Sequence, residues 1–171
     1  MREKFPWAKL IVGYVLYIFF HQVYDILGGG ILGALLGEGI ESIYAHMKML
    51  FYAYLLLSAF DYFKFRRAGN LPVSFFYSRM LILSAVPWMM IIVYYAVQAM
   101  GIILPHTVDL IWALIATAFG LYFSICLETP LDAMKAGPAL KAAITIAFVS
   151  ALITYIGFSF SIPDNFFIAP D

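Results

Sequence analysis

Histidine occurs three times in this chain, each time beside other ionisable groups. His21 precedes Asp25 by four residues, His46 sits between Glu38, Glu41 and Lys48, and His106 precedes Asp109 by three. Imidazole with carboxylate is the pairing used for proton transfer near neutral pH, and the same ligand types suit Zn²⁺ or another divalent ion. The candidate pocket therefore comprises His21, Asp25, Glu38, Glu41, His46, Lys48, His106 and Asp109. His21, His46, His106 and Glu41 are the candidate metal ligands, and His46, Glu41 and Lys48 the candidates for a catalytic role. The chain contains neither H-E-x-x-H nor C-x-x-C, and Ser42 near His46 lacks a nucleophile elbow, so no reaction class is specified.

Helical spacing makes neighbours of several of these groups. His21 and Asp25 share a helix face, and Tyr14 and Tyr17 extend that stripe. Glu41 and Lys48 are seven apart and share another face, with Tyr52 a turn deeper, while Ser42 and His46 fall on a different one. His106 and Asp109 have the spacing of a carboxylate–imidazole pair. A histidine or lysine inside an apolar helix costs free energy unless it is paired. An ion pair from Lys48 to a nearby glutamate is therefore expected, and it would also order the glycine-rich segment just before it.

The elements that must carry these groups follow from composition. Of the 171 residues, 64% are hydrophobic and 12% charged, and the mean hydropathy is +0.93. Soluble domains run at about 45–50% apolar and about 25% charged, so the solvent for this chain is lipid. Lys+Arg and Asp+Glu both number 10, and that balance argues against a nucleic-acid partner. The single cysteine, Cys126, excludes an internal disulfide and is expected to be a small buried hydrophobe.

Apolar runs at 7–27, 43–63, 76–104, 107–127 and 140–162 suit a hydrocarbon layer of roughly 30 Å, which needs about 20 helical residues. The fold class expected is all-α, a polytopic transmembrane helical bundle forming one integral membrane domain over 1–171. The glycine-rich stretch 28–40 is too short to cross and too apolar for a wet loop, so a short re-entrant or interfacial helix is expected there. The run from 7 to 27 lacks a small-residue cleavage site, which favours a permanent span over a signal peptide. Charged, Gly- and Pro-containing stretches at 66–72 and 128–138 are expected as loops.

With the N-terminus cytoplasmic, nine of the ten basic residues fall on the inner side and only Lys48 on the outer. That asymmetry sets the orientation: a protein of the cell (plasma) membrane, N-terminus cytoplasmic and C-terminus extracytoplasmic. Small residues recur at helical spacing in Gly29, Gly33 and Gly37, in Ala113, Thr117, Gly120 and Ser124, and in Ser150, Thr154, Gly157 and Ser161. They mark close helix packing, within the chain or in a homodimer.

Residues 40–49, I-E-S-I-Y-A-H-M-K-M, resemble the N-E-S-V-W-E-H-L-K-L signature of DUF6512, a family of small prokaryotic multi-span membrane proteins. Phe20-His21 with Tyr24, Tyr94-Tyr95 with Gly101 and Asp109, and the Phe/Pro-rich end near Asp171 extend the resemblance. The chain departs from the signature at Ile40 and Ala45, leaving Glu41, His46 and Lys48 as the matching polar positions. The family implies no established activity.

Three functions fit these residues. The first is an outward-facing His/Glu/Lys pocket that binds a small ligand or metal, in a membrane-embedded enzyme or a binder. The second is a small transporter or channel using the same groups as its vestibule. The third is a non-catalytic assembly subunit. The inner half offers little beyond Ser58, Asp61, Ser124 and Glu128 for a pathway, which favours the first. The topology has a direct test. In a Cys126→Ser background, a cysteine at position 69 should be shielded from an impermeant thiol reagent in intact cells, and one at position 166 should react. The opposite pattern rejects the orientation.

Overall fold

A computed structural model describes residues 5–37 and 42–160. Every regular element among them is a helix: α1 (Trp7–Ile26), α2 (Gly30–Leu36), α3 (Ile43–Ala68), α4 (Phe75–Ala99), α5 (His106–Asp132) and α6 (Pro138–Phe158). Helices thus occupy all five expected apolar runs, and a short one occupies the glycine-rich stretch. Four of them, α3 to α6, are long and apolar enough to cross a membrane. α1 has 20 residues, a sufficient length, but Lys9, His21, Gln22 and Asp25 dilute its apolar character.

α3 is the buried centre of the bundle. Its Met47, Met49, Leu50 and Phe51 are almost wholly enclosed, together with Ile82 and Val86 of α4 and Leu121 of α5. Its ends are well specified. The Ser42 hydroxyl accepts the Ala45 backbone N–H at 3.1 Å, an N-cap, and Gly69 closes the other end in the left-handed region after Arg66 and Arg67 of the last turn. Large apolar side chains cover the outside, among them Ile92, Ile146 and Ile153, each about two-thirds exposed. Such a surface fits lipid and not water.

The small-residue stripes do what their spacing predicts within the chain. Thr117, Gly120 and Ser124 of α5 are buried, and a Cβ on Gly120 would stand 3.1 Å from Leu50. Gly28, Gly29 and Gly30 all have positive φ, which reverses the chain so that α2 folds back along α1. There Gly33 lies against Tyr24. A Cβ on Gly37 would stand 2.6 Å from the Tyr24 backbone nitrogen. α6 differs, burying only Ile144 and Tyr155, and nothing approaches Gly157 within 4 Å.

Three expectations need correction. α5 does not end before Glu128 but continues through Pro130 to Asp132. Ion pairs made by Glu128 and Asp132 hold that last turn, described below, and offset the backbone hydrogen bond that proline removes. α4 stops at Ala99 rather than near 104. Cys126 is exposed on the outer face of α5, because its neighbours Ser124 and Ile125 take the inward positions.

The glycine contacts predict opposite outcomes for one substitution. Gly37→Ala forces a methyl group onto the α1 backbone and should cost about 1–3 kcal/mol. Gly157→Ala enters open space in a helix and should stabilise by about 0.5–1 kcal/mol. Denaturation of the two variants in detergent micelles, beside the parent, measures both.

Candidate functional site

α1 and α3 run antiparallel, which brings residues far apart in sequence together at both ends of the pair. At the end near Ile26, the His21 and His46 rings lie 5.6 Å apart between centroids. The Tyr17 hydroxyl shares a 2.8 Å hydrogen bond with His46 Nδ1. Tyr17 itself is only 3% exposed, so this bond orients the imidazole from within the core. Tyr14 continues the aromatic stripe at 6.0 Å from Tyr17, as the spacing on α1 predicts.

Lys48, two residues on from His46, faces a different way. It is 3% exposed, and its Nζ donates to the Ala34 carbonyl at 2.7 Å and to the Ser159 hydroxyl at 3.1 Å. One ammonium thus ties α2 and the end of α6 to the start of α3. Glu38 and Glu41 lie outside the described residues, and so does the expected Glu41–Lys48 pair. Asp25 is exposed.

The expected His106–Asp109 pair does not form. Asp109 Oδ2 accepts the Tyr94 hydroxyl at 2.9 Å, while His106 is exposed at the start of α5. Packing of α4 against α5 turns Asp109 toward Tyr94, whose carbonyl also accepts the Trp112 indole N–H at 2.9 Å. The second carboxylate oxygen of Asp109 is buried with no hydrogen-bond partner among the described residues. The predicted set is therefore split over three places: His21 and His46 with Tyr17, Lys48 beneath α2, and Asp109 with Tyr94. Two imidazoles supply half of a tetrahedral zinc set. Among the described residues no group of three or more His, Cys, Asp and Glu gathers as a metal site would require.

At the opposite end of the same helices lies a cluster that spacing alone did not single out. Lys9 of α1 contacts Asp61 of α3 and reaches both oxygens of Glu128 on α5, at 2.5 and 2.6 Å. The Tyr54 hydroxyl donates to Glu128 at 2.9 Å. Arg79 of α4 grips Asp132 through two nitrogens at 2.9 and 3.1 Å, lies 3.7 Å from Glu128 and sits over the Phe75 ring at 4.6 Å. Ser78 also donates to Asp132. Four helices meet in this network, and Arg79 at its centre is 4% exposed. The sequence carries a usable signal for it: an arginine inside an apolar run demands an anion, and Glu128 and Asp132 are four apart on one helix face. Treating 128–138 as loop concealed that face.

No protein-family model, curated protein or solved structure matches this chain.

The network yields a stability prediction. Arg79→Met leaves Asp132 and Glu128 short of a cation and should cost about 3–5 kcal/mol, the range for breaking a buried pair from one side. The Arg79→Met, Asp132→Asn double variant should recover part of that loss. Denaturation in micelles decides. Additive losses below about 1 kcal/mol, the range of exposed pairs, would show the cluster to be solvated.

Proposed function

We propose that this chain is a polytopic protein of the cell membrane, with α1 as a fifth span beside α3 to α6 and its N-terminus cytoplasmic. We further propose that its outer end binds a small ligand or a divalent ion at His21 and His46. The single observation behind this reading is that close pair of imidazoles, one of them held by a buried tyrosine hydroxyl. A ring fixed in this way is held in a defined orientation, the preparation needed for metal ligation or for proton transfer. Zinc suits the ligand type, and Glu41, close in sequence to His46, is the natural third donor. Lys48 contributes by holding the glycine-rich α2 against the bundle beside this site.

Binding is favoured over passage by the middle of α3. Between His46 and Tyr54, Met47, Met49, Leu50, Phe51 and Ala53 are each at most 1% exposed, a dry layer in line with the two polar ends. The open face of α6, with Ser150, Thr154 and Gly157, is the surface on which a homodimer would pack. The resemblance of residues 40–49 to the DUF6512 signature points to the same three positions, Glu41, His46 and Lys48.

Metal analysis and zinc titration of the purified full chain test the site. The parent should bind zinc stoichiometrically, and His46→Ala should lose it without a comparable loss of stability. Tyr17→Phe should keep the metal but weaken its binding by about 10–100-fold, as loss of an outer-shell partner does. A parent that binds no zinc, or a His46→Ala variant that binds it equally well, rejects the metal form of this proposal.

A further inference from the structure

The C-terminal third of α3 has two unlike sides. On one, Tyr62 and Phe65 pack against Phe75 of α4. On the other, Phe60, Phe63, Lys64 and Arg67, with Ala68, line an open groove that no other helix among the described residues lines. Their spacing of three, four and seven residues places them on a single helix face. That face changes character along its length. Phe60 and Phe63, 55% and 58% exposed, come first, and the two cations follow toward the helix end.

Most of the other cations of the chain are engaged. Lys9 and Arg79 belong to the ionic network, Lys48 ties α2 to α6, Arg66 bonds and stacks on Tyr62, and Lys141 lies over Tyr77. Lys64 and Arg67 are exposed, and neither meets an acidic side chain among the described residues. An occupant must therefore bring both a negative charge for these two cations and apolar surface for the two rings.

We propose that this groove is a binding site for one anionic phospholipid of the cytoplasmic leaflet. The headgroup phosphate sits between Lys64 and Arg67, and the upper acyl chain lies along Phe63 and Phe60. The arginine fork and the lysine ammonium suit phosphate oxygens, and basic residues at the membrane surface attract anionic lipid in general. A free phosphate ion would satisfy the cations and leave both rings uncovered. A second copy of this chain, meeting the same face across a two-fold axis, would set like charges together. The leaflet assignment rests on the topology proposed above; the lipid chemistry does not.

Native mass spectrometry of the full chain in detergent, titrated with phosphatidylglycerol and separately with phosphatidylcholine, tests the site. The parent should bind one phosphatidylglycerol in preference to phosphatidylcholine. Lys64→Gln with Arg67→Gln should weaken that binding about tenfold or more, and Phe60→Ala with Phe63→Ala should weaken it several-fold with both charges kept. Lys135→Gln with Lys141→Gln, the same charge change elsewhere on this end of the bundle, should have little effect. Equal losses in the two lysine-containing double variants would mean diffuse attraction and overturn the site. Competition by millimolar inorganic phosphate, or an unchanged affinity in the phenylalanine variant, would mean a bare-anion site and overturn the lipid. Micelles are blind to sidedness, so failure here and failure of the topology in the cysteine-accessibility experiment are separate results.

Discussion

A charge withdrawn from water must find its opposite, and in this chain that requirement organises the bundle. Arg79 lies too deep in an apolar helix to be solvated, so Asp132 and Glu128 must come to it. Glu128 in turn draws in Lys9 and the Tyr54 hydroxyl, and Lys9 draws in Asp61. Together these contacts join four different pairs among α1, α3, α4 and α5. The geometry of paired ions is far more exacting than that of apolar packing, because a misplaced partner leaves a bare charge at a cost of several kcal/mol. The network therefore sets the axial register of four helices at once.

Register at one end of a stiff helix is register at the other. From Lys9 to His21 on α1 is 12 residues, about 18 Å of helix, and from His46 to Asp61 on α3 is 15, about 22 Å. The Lys9–Asp61 contact and the antiparallel course of the two helices thus place His21 opposite His46. In lipid the apolar side chains gain nothing by choosing one another over acyl chains, so polar ties and close backbone approach must hold the helices together. The helix ends around His46 have both. Lys48 bonds to α2 and α6, Tyr44 donates to the Tyr155 carbonyl at 2.5 Å, and Gly37 lets α2 reach the α1 backbone.

How much of this was legible in the sequence depends on the range of the interaction. Local physics reads well: the lengths of the apolar runs, the short helix in the glycine-rich stretch and the small-residue faces of α2 and α5 all follow from neighbours within a few positions. Pairings across helices do not. Asp109 looked like the partner of His106 because the two are three apart, yet α4 offers it the Tyr94 hydroxyl in a more buried place. Glu128 and Pro130 looked like the opening of a loop because proline usually ends a helix. The bonds from Lys9 and Arg79 that favour another turn come from residues more than 50 positions away. His21 and His46 were expected close to one another and lie at one end of the bundle, but their ring-to-ring approach depends on the helix register just described.

The two polar ends differ in the kind of group they bring together. In the network around Arg79 nearly every donor and acceptor is engaged within the chain; among the described residues the Arg79 Nε is the buried exception there. Such a network holds helices well and has little left to offer a ligand. At the opposite end the imidazole of His46 is fixed through Nδ1 by the Tyr17 hydroxyl. His21 lies beside it, only partly covered. Between the ends, the α3 segment from Met47 to Ala53 is packed as tightly as any part of the molecule. The ionic network thus closes one end of the bundle, the centre of α3 is packed apolar, and the two close imidazoles proposed above as a binding site stand at the other end.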